Sequence, residues 1–349
     1  MISFSSDTET RPTPAMRAAM AAAEVGDEQR GEDPTVNALQ ARVAALLGKE
    51  DALWFPTGTL CNIVALRVHT RPGDAVVAES MSHVIRAESG GPAVHSGVLF
   101  EPVETARGHF GAAELDVALA RIATAPAPYG PRASLVCLEQ THNFAGGTCW
   151  PLERLREVAE AARAKGLALH MDGARLLNAA VAGGVPAAEH AACTDSVWID
   201  FTKGLGAPIG AVMAGPRDFI VQARRLKHLF GGAMRQAGVA AAGCLHALDH
   251  HVDRLAEDHA NARRLAAGLS AVPGIRLLDP APETNMVFFG PEPDAGLDAT
   301  GLTAALLERG LRVSLVRGLL RAVAHLDVTT DDVDRLVEAV GGIMAERVR

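Results

Sequence analysis

Two short stretches carry residue types that can do chemistry together. Leu169-His170-Met171-Asp172-Gly173-Ala174-Arg175 runs an apolar strand pattern into a carboxylate, followed by a glycine that permits a sharp turn. The next pattern of this kind ends in Asp200-Phe201-Thr202-Lys203-Gly204-Leu205-Gly206, which sets an amine at a strand end beside glycines. In open α/β sheets, ligands sit beyond the carboxyl ends of the strands. An aspartate and a lysine presented there side by side suit pyridoxal phosphate. Lys203 would join the cofactor through a Schiff base, and Asp172 would pair with the protonated pyridine nitrogen and keep the ring an electron sink. A third stretch, Phe55-Pro56-Thr57-Gly58-Thr59-Leu60-Cys61-Asn62, places a Gly-Thr turn ahead of a helical window. Free backbone N–H groups, a hydroxyl and the helix dipole make such a turn a cup for phosphate. Alone, each stretch reads equally as a loop lysine, a strand-end aspartate or a capped turn; in combination they point to one cofactor.

These residues need a layered domain to hold them. Ala75–Glu79, Ala133–Glu139, Leu167–Asp172, Ser196–Phe201 and Ile209–Ala214 read as short strands, apolar on both faces as buried parallel strands are. Helical windows lie between them. The one at Leu152–Lys165 opens after Pro151 and stops before Gly166. Strand–helix alternation predicts an α/β fold with a mostly parallel sheet between helices. Before it, a helix is expected over Thr35–Lys49, capped by Asp33 and started by Pro34. The Ala- and Pro-rich stretch Ala123–Pro131 reads as a surface loop. After Gly232, a long helical window covers Gln236–Ser270. Strand candidates follow at Gly274–Leu278, Met286–Phe289, Arg312–Leu315 and Ala322–Asp327, with helices near Thr300–Arg309 and Thr330–Arg347. The expected organisation is an N-terminal segment over residues 1–48, a large α/β domain over 49–245 and a smaller α+β domain over 246–349. The last boundary is expected inside the long helix.

Composition narrows the function classes. With 349 residues and 48% hydrophobic content, the chain can bury a large core. The net charge of −8 is interspersed and no basic tract occurs, which disfavours nucleic acid as a partner. No run is long and apolar enough for a membrane span, and the first residues lack a signal-peptide pattern. The five cysteines form no CxxC pair and read as reduced, mostly buried thiols in a cytoplasmic protein, with no metal site expected.

The ordered blocks go further. Ser6-Asp7-Thr8, Thr10-Arg11-Pro12-Thr13, Gly31-Glu32-Asp33-Pro34-Thr35-Val36-Asn37, Pro56-Thr57-Gly58-Thr59, Ser82-His83, Thr141-His142-Asn143, Asp172-Gly173-Ala174-Arg175, Lys203-Gly204-Leu205-Gly206 and Met234-Arg235-Gln236 follow one another along nearly the whole chain. This set resembles the low-specificity L-threonine aldolases, within the β-eliminating lyase group of fold-type-I pyridoxal phosphate enzymes. The resemblance implies an aminotransferase-like fold and retro-aldol cleavage of a β-hydroxy-α-amino acid to glycine and an aldehyde. It also implies a homo-oligomer, either a dimer or a dimer of dimers. A different pyridoxal phosphate lyase or a racemase on the same scaffold is the alternative.

By matching position, the resemblance makes Lys203 the Schiff-base lysine and Asp172 the pyridinium partner. Gly58 and Thr59 would hold the phosphate, His83 would stack on the ring, and His142 would stand near the substrate's β-hydroxyl. Arg175 would lie by the ring hydroxyl and the substrate carboxylate. Ser6 and Arg321 would bind that carboxylate, and Arg235 would reach a phosphate across a subunit interface. One block departs from the family. The residue before Gly31, usually tyrosine there, is Arg30 in this chain. It replaces a phenol by a fixed charge that either meets the cofactor phosphate or an acidic group on the substrate, or else faces solvent.

Overall fold

The computed structural model describes residues 1–126 and 128–347. One position of the loop expected over Ala123–Pro131, residue 127, lies outside them. Seven strands form the large sheet: β1 (Asp51–Phe55), β2 (Ala75–Glu79), β3 (Leu99–Val103), β4 (Ala133–Glu139), β5 (Ala168–Gly173), β6 (Ser196–Asp200) and β7 (Ala211–Gly215). Their order across the sheet is β1-β7-β6-β5-β4-β2-β3. All neighbours pair in parallel except β7, which runs against both β1 and β6. The α/β reading therefore holds, with one correction: the strand expected at Ile209–Ala214 is antiparallel. The loop 201–210 is too short for the crossover that a parallel return needs. It folds back instead, with Phe201 N–H donating to the Gly210 carbonyl at 3.1 Å.

Two further strands escaped the apolar pattern. β3 is the edge strand, largely exposed, and it carries Pro102, as an edge tolerates. β1 follows the helix Pro34–Leu47 after a left-handed Gly48. That helix begins as expected, with the Asp33 carboxylate accepting from Val36 N–H at 3.0 Å.

The remainder of the chain packs on a second sheet of four antiparallel strands: β8 (Ile275–Leu277), β9 (Met286–Pro291), β10 (Ser314–Val316) and β11 (Leu319–Val323), in the order β10-β11-β9-β8. The single strand expected at Arg312–Leu315 is divided between two sheets. Leu311–Arg312 pairs in parallel with Ile2–Ser3, whereas Ser314–Val316 pairs with β11. The strand expected at Ala322–Asp327 begins and ends earlier, because Arg317 and Gly318, with φ of 52° and 77°, make a two-residue hairpin turn just before it. The helical window over Gln236–Ser270 is two helices, Gly238–His250 and Leu255–Ser270. Between them the His251 ring turns inward, its Nδ1 2.7 Å from the Leu205 carbonyl. One large apolar cluster fills the space around the seven-stranded sheet, and another lies between the small sheet and the helices over it. Among the described residues no helix is long and apolar enough to cross a membrane.

Candidate active site

The parallel strands all point their carboxyl ends to one side, and a cavity of about 700 Å³ opens there. Register places the key side chains. Glu139, at the end of β4, sits opposite Asp172 on β5, and Asp172 sits opposite Trp198 on β6. Lys203 follows β6, its Nζ 2.9 Å from Asp200 Oδ2. Of the residues singled out from the sequence, Ser6, Gly58, Thr59, His83, Asp172, Arg175, Lys203 and Arg321 all line this cavity.

Asp172 is buried, and both its oxygens accept hydrogen bonds. Oδ2 takes one from Asn62 Nδ2 at 2.8 Å, and Oδ1 takes one from Ala174 N–H at 3.1 Å. Burial, and then the nearby Glu139 charge, push its carboxyl up from 3.8 to about 6, despite the opposing charges of His83 and Lys203. A cation set against it would relieve that cost.

Gly58 opens the helix Gly58–His69, and Thr57 caps it by accepting from Leu60 N–H at 3.3 Å. The Thr57 hydroxyl is therefore engaged, while the first-turn N–H groups of Gly58 and Thr59 belong to the helix end, where an anion is favoured. Glycine is needed at 58 for a close approach. A Cβ there would lie 2.4 Å from the Trp198 ring.

Two arginines reach the cavity in different states. Arg175 is buried and grips Asp7 with two of its three nitrogens, at 2.7 and 2.6 Å. Burial alone would raise the Asp7 carboxyl, but the Arg175 charge and hydrogen bonds outweigh it and hold it well below the usual carboxylate range. Asn285 adds a third contact at 3.2 Å, so Asp7 ties the start of the chain to both sheets. Arg321, on β11, is half-buried and donates to Asn143 Oδ1 and to the Ser5 carbonyl, each at 2.9 Å. Its Nε is buried without a partner, and among the described residues no carboxylate stands within ion-pair distance of it. Burial and the neighbouring Arg175 work against its charge. An arriving carboxylate would reverse both effects, and the planar guanidinium suits one.

His83 lines the cavity with Nδ1 2.6 Å from Glu88 Oε1. His142 does not reach the cavity. The structure buries it behind the wall, with Nε2 2.8 Å from Glu79 Oε2 but out of line for a hydrogen bond. Gly108 packs against its ring so closely that a Cβ would fall 2.3 Å away. The next residue, Asn143, lines the cavity instead. Arg30 and Arg235 also lie outside it, on the surface, where both face Asp27 Oδ2 at 3.9 and 2.9 Å.

Several lining or supporting residues were not singled out from the sequence. Asp200 holds Lys203, Trp198 packs against Gly58, and Asn62, Glu88 and Glu139 surround Asp172 and His83. Asn62 gave a usable signal, being a polar residue one turn before the buried Ala65 and Leu66, on the helix face they occupy.

The family model "Beta-eliminating lyase" matches residues 3–291. The chain is 40% identical over 337 residues to low-specificity L-threonine aldolase 1 of Arabidopsis thaliana, covering 95% of this chain and 93% of that protein. It is likewise 40% identical over 333 residues to the low specificity L-threonine aldolase of Escherichia coli (strain K12), covering 95% and 96%. The fold superposes on the threonine aldolase of Leishmania major with a TM-score of 0.83 at 24% identity, over 99% of this chain and 100% of that one.

Proposed function

The chain belongs to the beta-eliminating lyase family, and we propose that it is a pyridoxal phosphate-dependent threonine aldolase that cleaves β-hydroxy-α-amino acids to glycine and an aldehyde. The observation that carries this reading is one cavity lined by Lys203, by Asp172 and by an arginine that has no carboxylate partner among the described residues. The cavity fits the cofactor at three poles. Asp172 lacks a fully compensating cation, as a partner for a protonated pyridine nitrogen would. The helix end at Gly58 and Thr59 suits the phosphate, and Lys203 supplies the amine. When bound, pyridoxal phosphate supplies an electron sink for the bonding pair of the Cα–Cβ bond.

The protein's own groups do the rest. Arg321, with Ser6 beside it, binds the α-carboxylate and so sets the Cα–Cβ torsion, which is catalysis by positioning. Asp200 keeps the Lys203 amine at the strand end, where the substrate amine must meet it. The ring of His83 takes the β-hydroxyl proton, directly or through water; such a base contributes about 10²–10⁴-fold. Because Arg30 and Arg235 share one carboxylate on the surface, they serve an active site only across an interface with a second copy. We assign them the cofactor phosphate there, or in the case of Arg30 an acidic substrate side chain. Arg30→Tyr should then change the ratio of activities on threonine and 3-hydroxyaspartate; an unchanged ratio rejects the substrate-charge role.

The deciding assay uses the purified protein with threonine, allo-threonine, phenylserine and 3-hydroxyaspartate, both enantiomers of each. Glycine and aldehyde in equal amounts are expected. A keto acid or an inverted amino acid without aldehyde would overturn the reading in favour of elimination or racemisation.

A further inference from the structure

Glu88 has no part in the mechanism so far, yet its burial needs a reason. Only 3% of its surface is exposed. Its Oε1 accepts from Asn62 Nδ2 at 2.9 Å and stands 2.6 Å from the His83 ring at Nδ1. Its Oε2 is buried with no donor among the described residues. A buried carboxylate kept only for structure normally has both oxygens satisfied, since an unmet buried acceptor is costly. The backbone turns to place it there. Ser89 and Gly90 follow with φ of 52° and 74°, the left-handed region that a serine seldom adopts.

Asn62 explains how Glu88 is held. It is fully buried, and its single amide group donates to Glu88 and to Asp172. Its Oδ1 faces Trp198 Nε1 at 2.7 Å and His170 Nε2 at 3.3 Å. One side chain thus fixes the carboxylate that addresses the cofactor ring and the carboxylate that addresses His83.

We propose that Glu88 is a positioning residue of this site, which acts through His83 by fixing its ring with Nδ1–H on the carboxylate and Nε2 left to meet the substrate. The inference rests on the aldolase reading for what Nε2 meets, but not for the pair itself. With Nδ1 carrying the hydrogen, the neutral ring presents a lone pair at Nε2. When the β-hydroxyl O–H bond breaks and its proton forms a bond to Nε2, the ring becomes cationic, and Glu88 stands ready to neutralise it. The charges facing His83 agree. Burial pulls its pKa down, but the Glu88 hydrogen bond and the Asp172, Glu88 and Glu139 charges outweigh that and bring it above 6.5. Asp172 and Glu139 reach it from β5 and β4, and Glu88 reaches it from its own segment.

The test reads the ring without cofactor or turnover. Nitrogen-15 histidine NMR of the apo-protein, with the His83 signal assigned through His83→Gln, follows both ring nitrogens across pH. Nδ1 should stay protonated above the titration of the ring. In Glu88→Gln the midpoint should fall by about one pH unit. The acid limb of kcat/KM should then move to lower pH by the same amount, with its plateau about tenfold down. A wild-type ring protonated at Nε2 rather than Nδ1, or a Glu88→Gln ring that titrates like wild type, overturns the proposal. If Glu88→Gln does not fold, the wild-type nitrogen spectrum decides alone. Failure of the substrate panel with an intact Nδ1–H signal would reject the aldolase reading and leave the pair standing.

Discussion

Asp172→Asn removes a charge that the protein holds at a cost. Burial, with Glu139 beside it, raises the Asp172 carboxyl from 3.8 to about 6. At about 1.4 kcal/mol per pH unit, ionised Asp172 costs the cofactor-free protein about 3 kcal/mol at pH 7. The substitution has its own penalty. Both Asp172 oxygens accept hydrogen bonds, and an amide nitrogen turned towards Asn62 or the Ala174 N–H forfeits one, about 1–3 kcal/mol. That penalty does not vary with pH, whereas the charge cost does. Because the folded pKa lies above the unfolded one, the folded chain keeps a proton between about pH 4 and 6 that the unfolded chain releases. The wild type therefore loses stability as pH rises through that window, and the variant does not. Urea unfolding of the two cofactor-free proteins should show the variant gaining about 2.5 kcal/mol on wild type between pH 4 and pH 7. Saturating pyridoxal phosphate should then stabilise wild type far more than the variant. A stability difference that stays flat with pH would refute the charge argument.

Three further outcomes follow from the same geometry. Arg321→Ala leaves the substrate carboxylate without its fork, so kcat/KM on threonine should fall roughly a hundredfold, through KM for the lost grip and through kcat for the lost torsion; an unchanged kcat/KM rejects the assignment. Gly58→Ala drives a Cβ into the Trp198 ring and displaces the helix end, so pyridoxal phosphate affinity, read by fluorescence titration, should weaken at least about tenfold. Lys203→Ala should abolish the visible absorbance of the lysine-bound cofactor, and Arg235→Ala should impair turnover. Mixed oligomers of these two variants should recover activity if Arg235 serves the neighbouring site, and should not if it serves its own.

The placement of the candidate residues is legible where it is local. Asp172, Lys203 and the Gly58-Thr59 turn each stand at the end of a strand or the start of a helix whose pattern the sequence displays. The parallel strands followed from their apolar runs, and the helix caps from Asp33 and Pro34. What could not be read is what depends on distant parts of the chain meeting. Nothing near Asp200 marks β7 as antiparallel except the shortness of the loop 201–210. Arg175 looks free in sequence, but Asp7 occupies most of it. His142 stands beside a cavity residue, yet the carboxylates of Glu79 and Glu139 draw it inward. The helix break at 251–254 depends on a carbonyl from the Lys203 loop. Asn62, Glu88 and His83 become one cluster only when two separate segments pack on β5.

The wall formed by residues 2–8 has a consequence in time. Ser5 meets Arg321 across 316 residues of chain, and the Phe4 carbonyl accepts from Val323 N–H at 2.8 Å. On a ribosome adding about 5–20 residues per second, that segment waits on the order of tens of seconds for its partner strand. The seven strands of the large sheet, all complete by Gly215, can assemble in that interval with the cavity open on one side. The side of the cavity that residues 2–8 share with the small sheet is therefore completed late in synthesis, when Leu319–Val323 arrives.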